Sequence, residues 1–167
     1  MNNNYKFKVN IMNTTIIGLN KKETENLTVS LNYLLANFQV YYQSLRGLHW
    51  NITGKSFFEL HVKFEEFYTD SQEKIDLIAE RILTLGGRPL HTFEDYTKLA
   101  KVPVGKNVTN DVESVILVVN SLSELLKIER NILNESDEAN DEGTNSMMSD
   151  FIAEQEKTIW MLNSWLN

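Results

Sequence analysis

The chain has no cysteine and only two prolines, and no apolar run in its 167 residues approaches the roughly 20 needed to cross a bilayer. The missing thiols exclude a disulfide scaffold, a zinc ribbon, an iron–sulfur cluster and a cysteine nucleophile. Any metal must therefore be held by His, Asp, Glu or backbone oxygen, and there are only three His. With seven Gly and 42% apolar residues, neither a disordered chain nor a turn-rich all-β domain fits the composition. Basic residues are also short, at 16 Lys plus Arg against 23 Asp plus Glu and a net charge of −7. Such a surface suits cations better than nucleic acid. No signal-peptide pattern opens the chain, so a cytoplasmic protein with no membrane association is the expectation.

What is present is long-period helix pattern. Residues 1–20 are Asn-rich without helical period and read as a flexible N-terminal arm, which leaves 21–167 as one domain. Residues 1–22 carry four Lys and no acid, a charge of +4, which leaves −11 for the remainder. From Glu23 to about Trp50 the apolar positions Leu27, Leu31, Leu34, Leu35, Phe38, Tyr41, Tyr42, Leu45 and Leu48 follow helix spacing. Asn51-Ile-Thr-Gly54 breaks that pattern, and a second helix runs from Phe57 to Leu85, ended by Gly86-Gly87 and Pro89. The connection over 88–108 is too long for a helix hairpin and holds its own short helix, opened by Thr92 with Asp95 three residues on. A third long helix is expected over about 109–134 and a fourth over about 143–166, separated by an acidic stretch at 135–142. Four long helices with one long crossover in the middle predict an all-α, ferritin-like four-helix bundle, up-down-down-up, with a short extra helix between helices two and three.

Two of the three His, His49 and His61, flank the break between helices one and two. On helix two, Glu65, Asp76 and Glu80 lie at about 40°, 60° and 100° around the axis from His61, on one side. Two imidazoles with several carboxylates form a ligand set for a divalent first-row metal such as iron. The bland alternative is a solvated face on which Lys63 and Arg81 pair with the acids. Distance narrows the choice. His61 and Asp76 are fifteen residues apart, about 22 Å along a helix, whereas metal–ligand bonds are roughly 2 Å. Either these groups are unrelated, or a second copy of the helix lies antiparallel across a two-fold axis near Thr69 and Asp70 and completes two equivalent sites. A di-iron site inside the bundle would need Glu-x-x-His motifs. The three His are preceded at −3 by Arg46, Phe58 and Arg88, so no such motif exists.

The motifs Leu48-His-Trp-Asn-Ile-x-Gly54, Phe57-Phe-x-x-His61, Glu65, Asp76-x-x-x-Glu80-Arg81, Ile82-x-x-Leu-Gly-Gly87 and Ile159-Trp-Met-Leu162 together resemble the signature of the Dps family, the bacterial miniferritins. The resemblance covers about residues 17–166. It implies a hollow dodecamer that oxidises Fe(II) to Fe(III), preferably with hydrogen peroxide, and stores the ferric mineral. It also implies a ferroxidase centre at a two-fold interface, with His49 and His61 from one subunit and Asp76 and Glu80 from its partner. The fifth family position, commonly Asp, is Glu65 here. Trp50 is implied either as an interceptor of stray oxidising equivalents or as interface packing. Asp137 and Asp141 fall where the family has an acidic pore through which ions enter, and Ser146 stands where a further Asp is common.

The same resemblance leaves room for a DNA-protecting, nucleoid-associated shell as a different main role. The arm's Lys6, Lys8, Lys21 and Lys22 would face an acidic shell and their field is screened beyond roughly 10 Å at 0.1 M salt. DNA binding is therefore expected to be weak or absent. A helical interaction bundle without metal is the third reading. His91, in the crossover, is expected to be a surface or structural residue.

Overall fold

Asn20 starts the first helix: its side-chain oxygen accepts from the backbone N–H groups of Lys22 and Glu23 at 2.9 and 3.3 Å, satisfying donors that a helix start leaves open. In the computed structural model, which describes residues 15–167, the order is α1 (Lys21–Asn51), α2 (Phe57–Thr84), α3 (Phe93–Leu99), α4 (Asp111–Glu138) and α5 (Glu142–Leu166). The caps of α3, α4 and α5 are Thr92, Asn110 and Asp141, each accepting a backbone N–H of the first turn. Helices α1 and α2 form one antiparallel pair, α4 and α5 another, and α1 packs on both α4 and the short α3. This is the expected four-helix bundle with an extra helix in the long crossover.

The core is the stripe each helix turns inward. Leu31, Leu34, Phe38, Leu45 and Leu48 of α1 meet Leu60, Phe64, Ile78 and Ile82 of α2, Val115, Val118, Leu122, Leu125 and Ile132 of α4, and Met148, Phe151 and Leu162 of α5. A fully buried Leu or Phe contributes about 1.5–3 kcal/mol relative to an exposed one, so these stripes alone account for the packing. The crossover is fastened to α1 by two asparagines. Asn37 accepts from the backbone N–H groups of Lys101 and Val102, and Asn32 accepts from Leu90 N–H while donating to the Arg88 carbonyl.

Two stretches differ from the sequence reading. Residues 1–14 of the expected arm lie outside the described residues. Thr15 to Leu19 form a turn closed by Thr15 N–H on the Leu19 carbonyl at 2.8 Å, with Leu19 packed on the core. The acidic stretch is mostly helical, because α4 continues to Glu138: Ile132, Ser136 and Ala139 keep the buried period. Asn140, at φ 54°, then reverses the chain in the left-handed region and lets Asp141 N–H reach the Ser136 carbonyl.

Several polar residues interrupt the core, among them Glu129 of α4, fully buried, which accepts a hydrogen bond from Gln155 of α5. Burial pushes the Glu129 carboxyl up to about 7, against the hydrogen bond from Gln155 and the charges of Lys74 and Arg130, which act to lower it. A carboxyl raised in the folded state contributes stability that is complete below its unfolded pKa and is lost as pH rises through the folded one. Wild type should therefore lose about 3 kcal/mol between pH 4.5 and 8 through this group. Thermal melts of Glu129→Gln against wild type across that range should diverge, with the variant gaining as pH rises; parallel curves would contradict the assignment.

Candidate metal centre

The break between α1 and α2 brings the two histidines face to face. Gly54, at φ 107°, supplies the reversal, and Thr53 N–H is taken by the Thr109 carbonyl ahead of α4 at 3.0 Å. The last four carbonyls of α1 have no partner within the helix. One of them, the His49 carbonyl, accepts from His61 Nδ1 at 2.8 Å, while His49 Nδ1 donates to the His61 carbonyl at 2.7 Å. The rings stack with centroids 3.7 Å apart at 20°. A carbonyl oxygen only accepts, so both Nδ1 atoms carry the proton and both Nε2 atoms are left to take a metal or a second proton. Hydrogen bonding of one ring nitrogen to set the ligating one is the usual outer support of a metal-bound His.

Three neighbours to which the sequence reading assigned no role complete this end. Phe57 stacks on the outer side of His61 at 5.1 Å, and Tyr68 meets His49 edge-on at 5.4 Å. The Tyr68 phenol is held above its ordinary pKa by desolvation and by the adjacent Glu65 carboxylate, which places Glu65 on the histidine side of the site. Tyr42 packs edge-on against Tyr68, and Arg46 lies over the Tyr42 and Trp50 rings at 5.4 and 4.7 Å. Helix spacing held the signal: Phe57 is one turn before His61, Tyr68 two turns after it, and Tyr42 two turns before His49.

Asp76 and Glu80 stay at the other end of α2. That helix is unbroken from Phe57 to Thr84, so the separation of about 22 Å from His61 stands. Among the described residues no three His, Asp or Glu side chains of one chain gather into a metal-binding group. The bland pairing does not occur either: Lys63 bonds Glu66, Arg81 bonds Asp141, and among the described residues Glu65, Asp76 and Glu80 make no ion pair. Their face of α2 is open. Phe58, Val62 and Leu83 lie within about 60° of His61's carboxylate neighbours around the helix axis and are 82, 53 and 59% exposed. Trp50, at 57%, is exposed as well.

The two expected pore acids part company. Asp137 is exposed in the last turn of α4. Asp141 is 2% exposed and engaged inside the chain: it caps α5 through Thr144 N–H at 3.1 Å, accepts from the Thr144 hydroxyl at 2.5 Å, and pairs with the Arg81 guanidinium. A Cβ on Gly143 would meet that guanidinium at 2.9 Å, so the small residue keeps the pair in place. Asp141 is therefore a cap and ion-pair partner, a correction to the expected pore lining. His91 is exposed, as expected.

A Ferritin-like domain family matches residues 29–167. A crystal structure of a Dps protein from Vibrio cholerae, described as a member of the ferritin-like diiron-carboxylate superfamily, superposes with a TM-score of 0.91 at 51% identity, covering 93% of this chain and 98% of that one. A Dps structure from Bacillus brevis gives 0.85 at 36%, over 87 and 98%. A relative from Porphyromonas gingivalis named DNA protection during starvation protein is 40% identical over 90% of this chain and 94% of its own. The class is that of ferritin-like proteins. Within it, the chain belongs to the Dps family.

The histidine geometry has a direct spectroscopic consequence. In the metal-free protein at alkaline pH, imidazole ¹⁵N shifts of His49 and His61 should report Nδ1–H with unprotonated Nε2 in both rings. An Nε2–H tautomer in either would contradict the reciprocal bonding.

Proposed function

We propose that the chain forms an iron-oxidising and iron-storing shell whose centres lie between paired subunits. The observation that carries this is the reciprocal His49–His61 pair with both Nε2 atoms free, at one end of an open helix face whose other end holds Asp76 and Glu80. An antiparallel partner helix across a two-fold axis brings His49 and His61 of one subunit to Asp76 and Glu80 of the next. Such pairing also covers Phe58, Val62 and Leu83, which a lone chain leaves in water. Glu65, beside Tyr68, joins the histidine half as ligand or through water.

Fe(II) is the substrate of this centre. Neutral imidazole and carboxylate suit it and leave positions for oxidant. Two ferrous ions supply both electrons that hydrogen peroxide needs; with two protons it leaves as water, and each iron becomes Fe(III). No one-electron step then releases hydroxyl radical. Trp50 stands exposed beside His49 with Arg46 on its ring, fitted either to pack the interface or to take up a stray oxidising equivalent. Asp137 is the remaining acid proposed for an iron-access pore. A second exposed apolar group, Trp160, Met161 and Trp165, offers surface for the further contacts of a dodecamer. Among the described residues no helix is long and apolar enough to cross a membrane, and we place the shell in the cytoplasm.

A DNA-protecting role is the second reading, favoured by the name of the Porphyromonas gingivalis relative. The net charge of −7 per chain argues for weak, salt-sensitive binding as an accessory property.

Anaerobic Fe(II) loading followed by peroxide tests the main reading. The wild-type particle should run near twelve times 19.3 kDa, about 230 kDa, and oxidise its Fe(II) rapidly. In His49→Ala plus His61→Ala the fast phase should fall by more than about 100-fold, beyond the cost of losing an outer hydrogen bond alone. Unchanged oxidation would remove the histidines from the centre, and a 19 kDa species would remove the shell.

A further inference from the structure

Between the first half of α1, the crossover and the last half of α4 lies an open groove of about 510 Å³. Its walls are largely apolar: Val29 and Tyr33 of α1, Leu90 and Leu99 of the crossover, Ile128 and Ile132 of α4. Val29 is 71% exposed and Leu99 39%, so water still touches these walls. One charged residue lines the groove, Glu135. Its Oε2 is closed off from water and has no donor, and among the described residues no cation pairs with the carboxylate. An apolar groove with one uncompensated acid suits a segment that brings apolar side chains and a cation together.

Residues 1–14, outside the described residues, have that chemistry. Tyr5, Phe7, Val9 and Ile11 alternate with Lys6, Lys8, Asn10 and Met12, and the segment holds no acid. Alternation of period two puts the four apolar residues on one side of an extended segment and both lysines on the other. The attachment point is close. Thr15 lines a recess with Thr28 and Gly87, and the groove begins at Val29, the next residue of α1, and at Leu90, just past Gly87. Helix α4 runs against α1, so Glu135, in the last turn of α4, sits at the groove end nearer Thr15. From Lys8 to Thr15 the chain reaches up to about 25 Å, whereas the groove is roughly 10 Å long, the rise of α4 from Ile128 to Glu135.

We propose that residues 5–11 of the chain's own arm lie extended in this groove, with Phe7, Val9 and Ile11 against its apolar walls and Lys6 or Lys8 paired with Glu135. The tether makes the contact intramolecular, so modest complementarity is enough to hold it. The arm is then a strap from the start of α1 across to α4, and the paired lysine is neutralised by Glu135 instead of being presented to a polyanion. The inference concerns the α1–α4 side and holds whether or not the iron centre on α2 exists.

The test uses the full chain and a zero-length carbodiimide, which joins amines to carboxylates already in contact. Digestion and mass spectrometry should recover Lys6 or Lys8 joined to Glu135. Tryptic cleavage after Lys6 and Lys8 gives a second readout. Val29→Asp puts a charge at an exposed groove position and leaves Glu135 in place. That variant should keep its helicity, lose the cross-link, and be cleaved at least about tenfold faster than wild type. Glu135→Gln should also speed cleavage. Equal amounts of ¹⁵N-labelled and unlabelled chains, refolded together, separate the chain's own arm from a neighbour's: linked peptides should be wholly light or wholly heavy. Overturning results are absence of the link to Glu135, a link that survives Val29→Asp, wild-type cleavage as fast as that of Val29→Asp, or links of mixed mass, which would give the groove to the arm of a second copy.

Discussion

Helix α2 is one rigid rod, and its length governs the rest. Twenty-eight residues run without a proline or break from Phe57 to Thr84, so groups at its two ends stay about 22 Å apart whatever the side chains do. Histidines cluster at one end and unpaired carboxylates at the other. A single chain has no way to fold them onto one ion, and only a second rod, reversed, closes the gap. The fold serves this rod: α1 packs along its inner stripe, α5 is tied to it through Lys74–Glu154, Arg81–Thr144 and Glu59–Trp165, and its outer stripe is left open.

At the histidine end, precision comes from backbone already in place. The terminal carbonyl of α1 at His49 needs a donor, and the imidazole of His61 supplies it; the return bond fixes His49. Each such bond contributes only about 0.5–1.5 kcal/mol net. Their effect on chemistry is larger than their effect on stability, because they decide which nitrogen faces outward. Phe57 on one side and Tyr68 at the edge leave the rings little freedom to turn. The same economy holds at the far end of α2, where Arg81 is drawn away from Glu80 to the capped start of α5 and so leaves the acid unneutralised.

Much of this was legible in the chain. The apolar period of α1 and α2, the Gly54 reversal and the Gly86-Gly87 stop are local signals, and they placed both helices within a residue or two. The proposed ligands rest on residue type and spacing, and so does the proposed need for a partner. What escaped depends on distant partners. Asp141 looks like any acid near a helix start until Arg81, sixty residues earlier, is brought beside it. The end of α4 turns on Asn140 adopting the left-handed region, which Asn permits but does not announce. Lys74, Glu129 and Gln155 each look like one polar residue on an amphipathic helix. Only the packed bundle shows that all three occupy core positions.

The central claim is that each metal centre is built by two chains, and mixing two disabled chains tests it directly. One carries His49→Ala and His61→Ala, the other Asp76→Ala and Glu80→Ala, and the two are co-expressed in equal amounts with different tags. At a mixed two-fold interface one site lacks every ligand, while the other combines intact histidines with intact acids. Half of the interfaces are mixed, so co-assembled particles should recover about a quarter of wild-type peroxide-dependent Fe(II) oxidation, although neither parent shows any. If each centre lies within a single chain, mixing restores nothing, and that result would contradict the account.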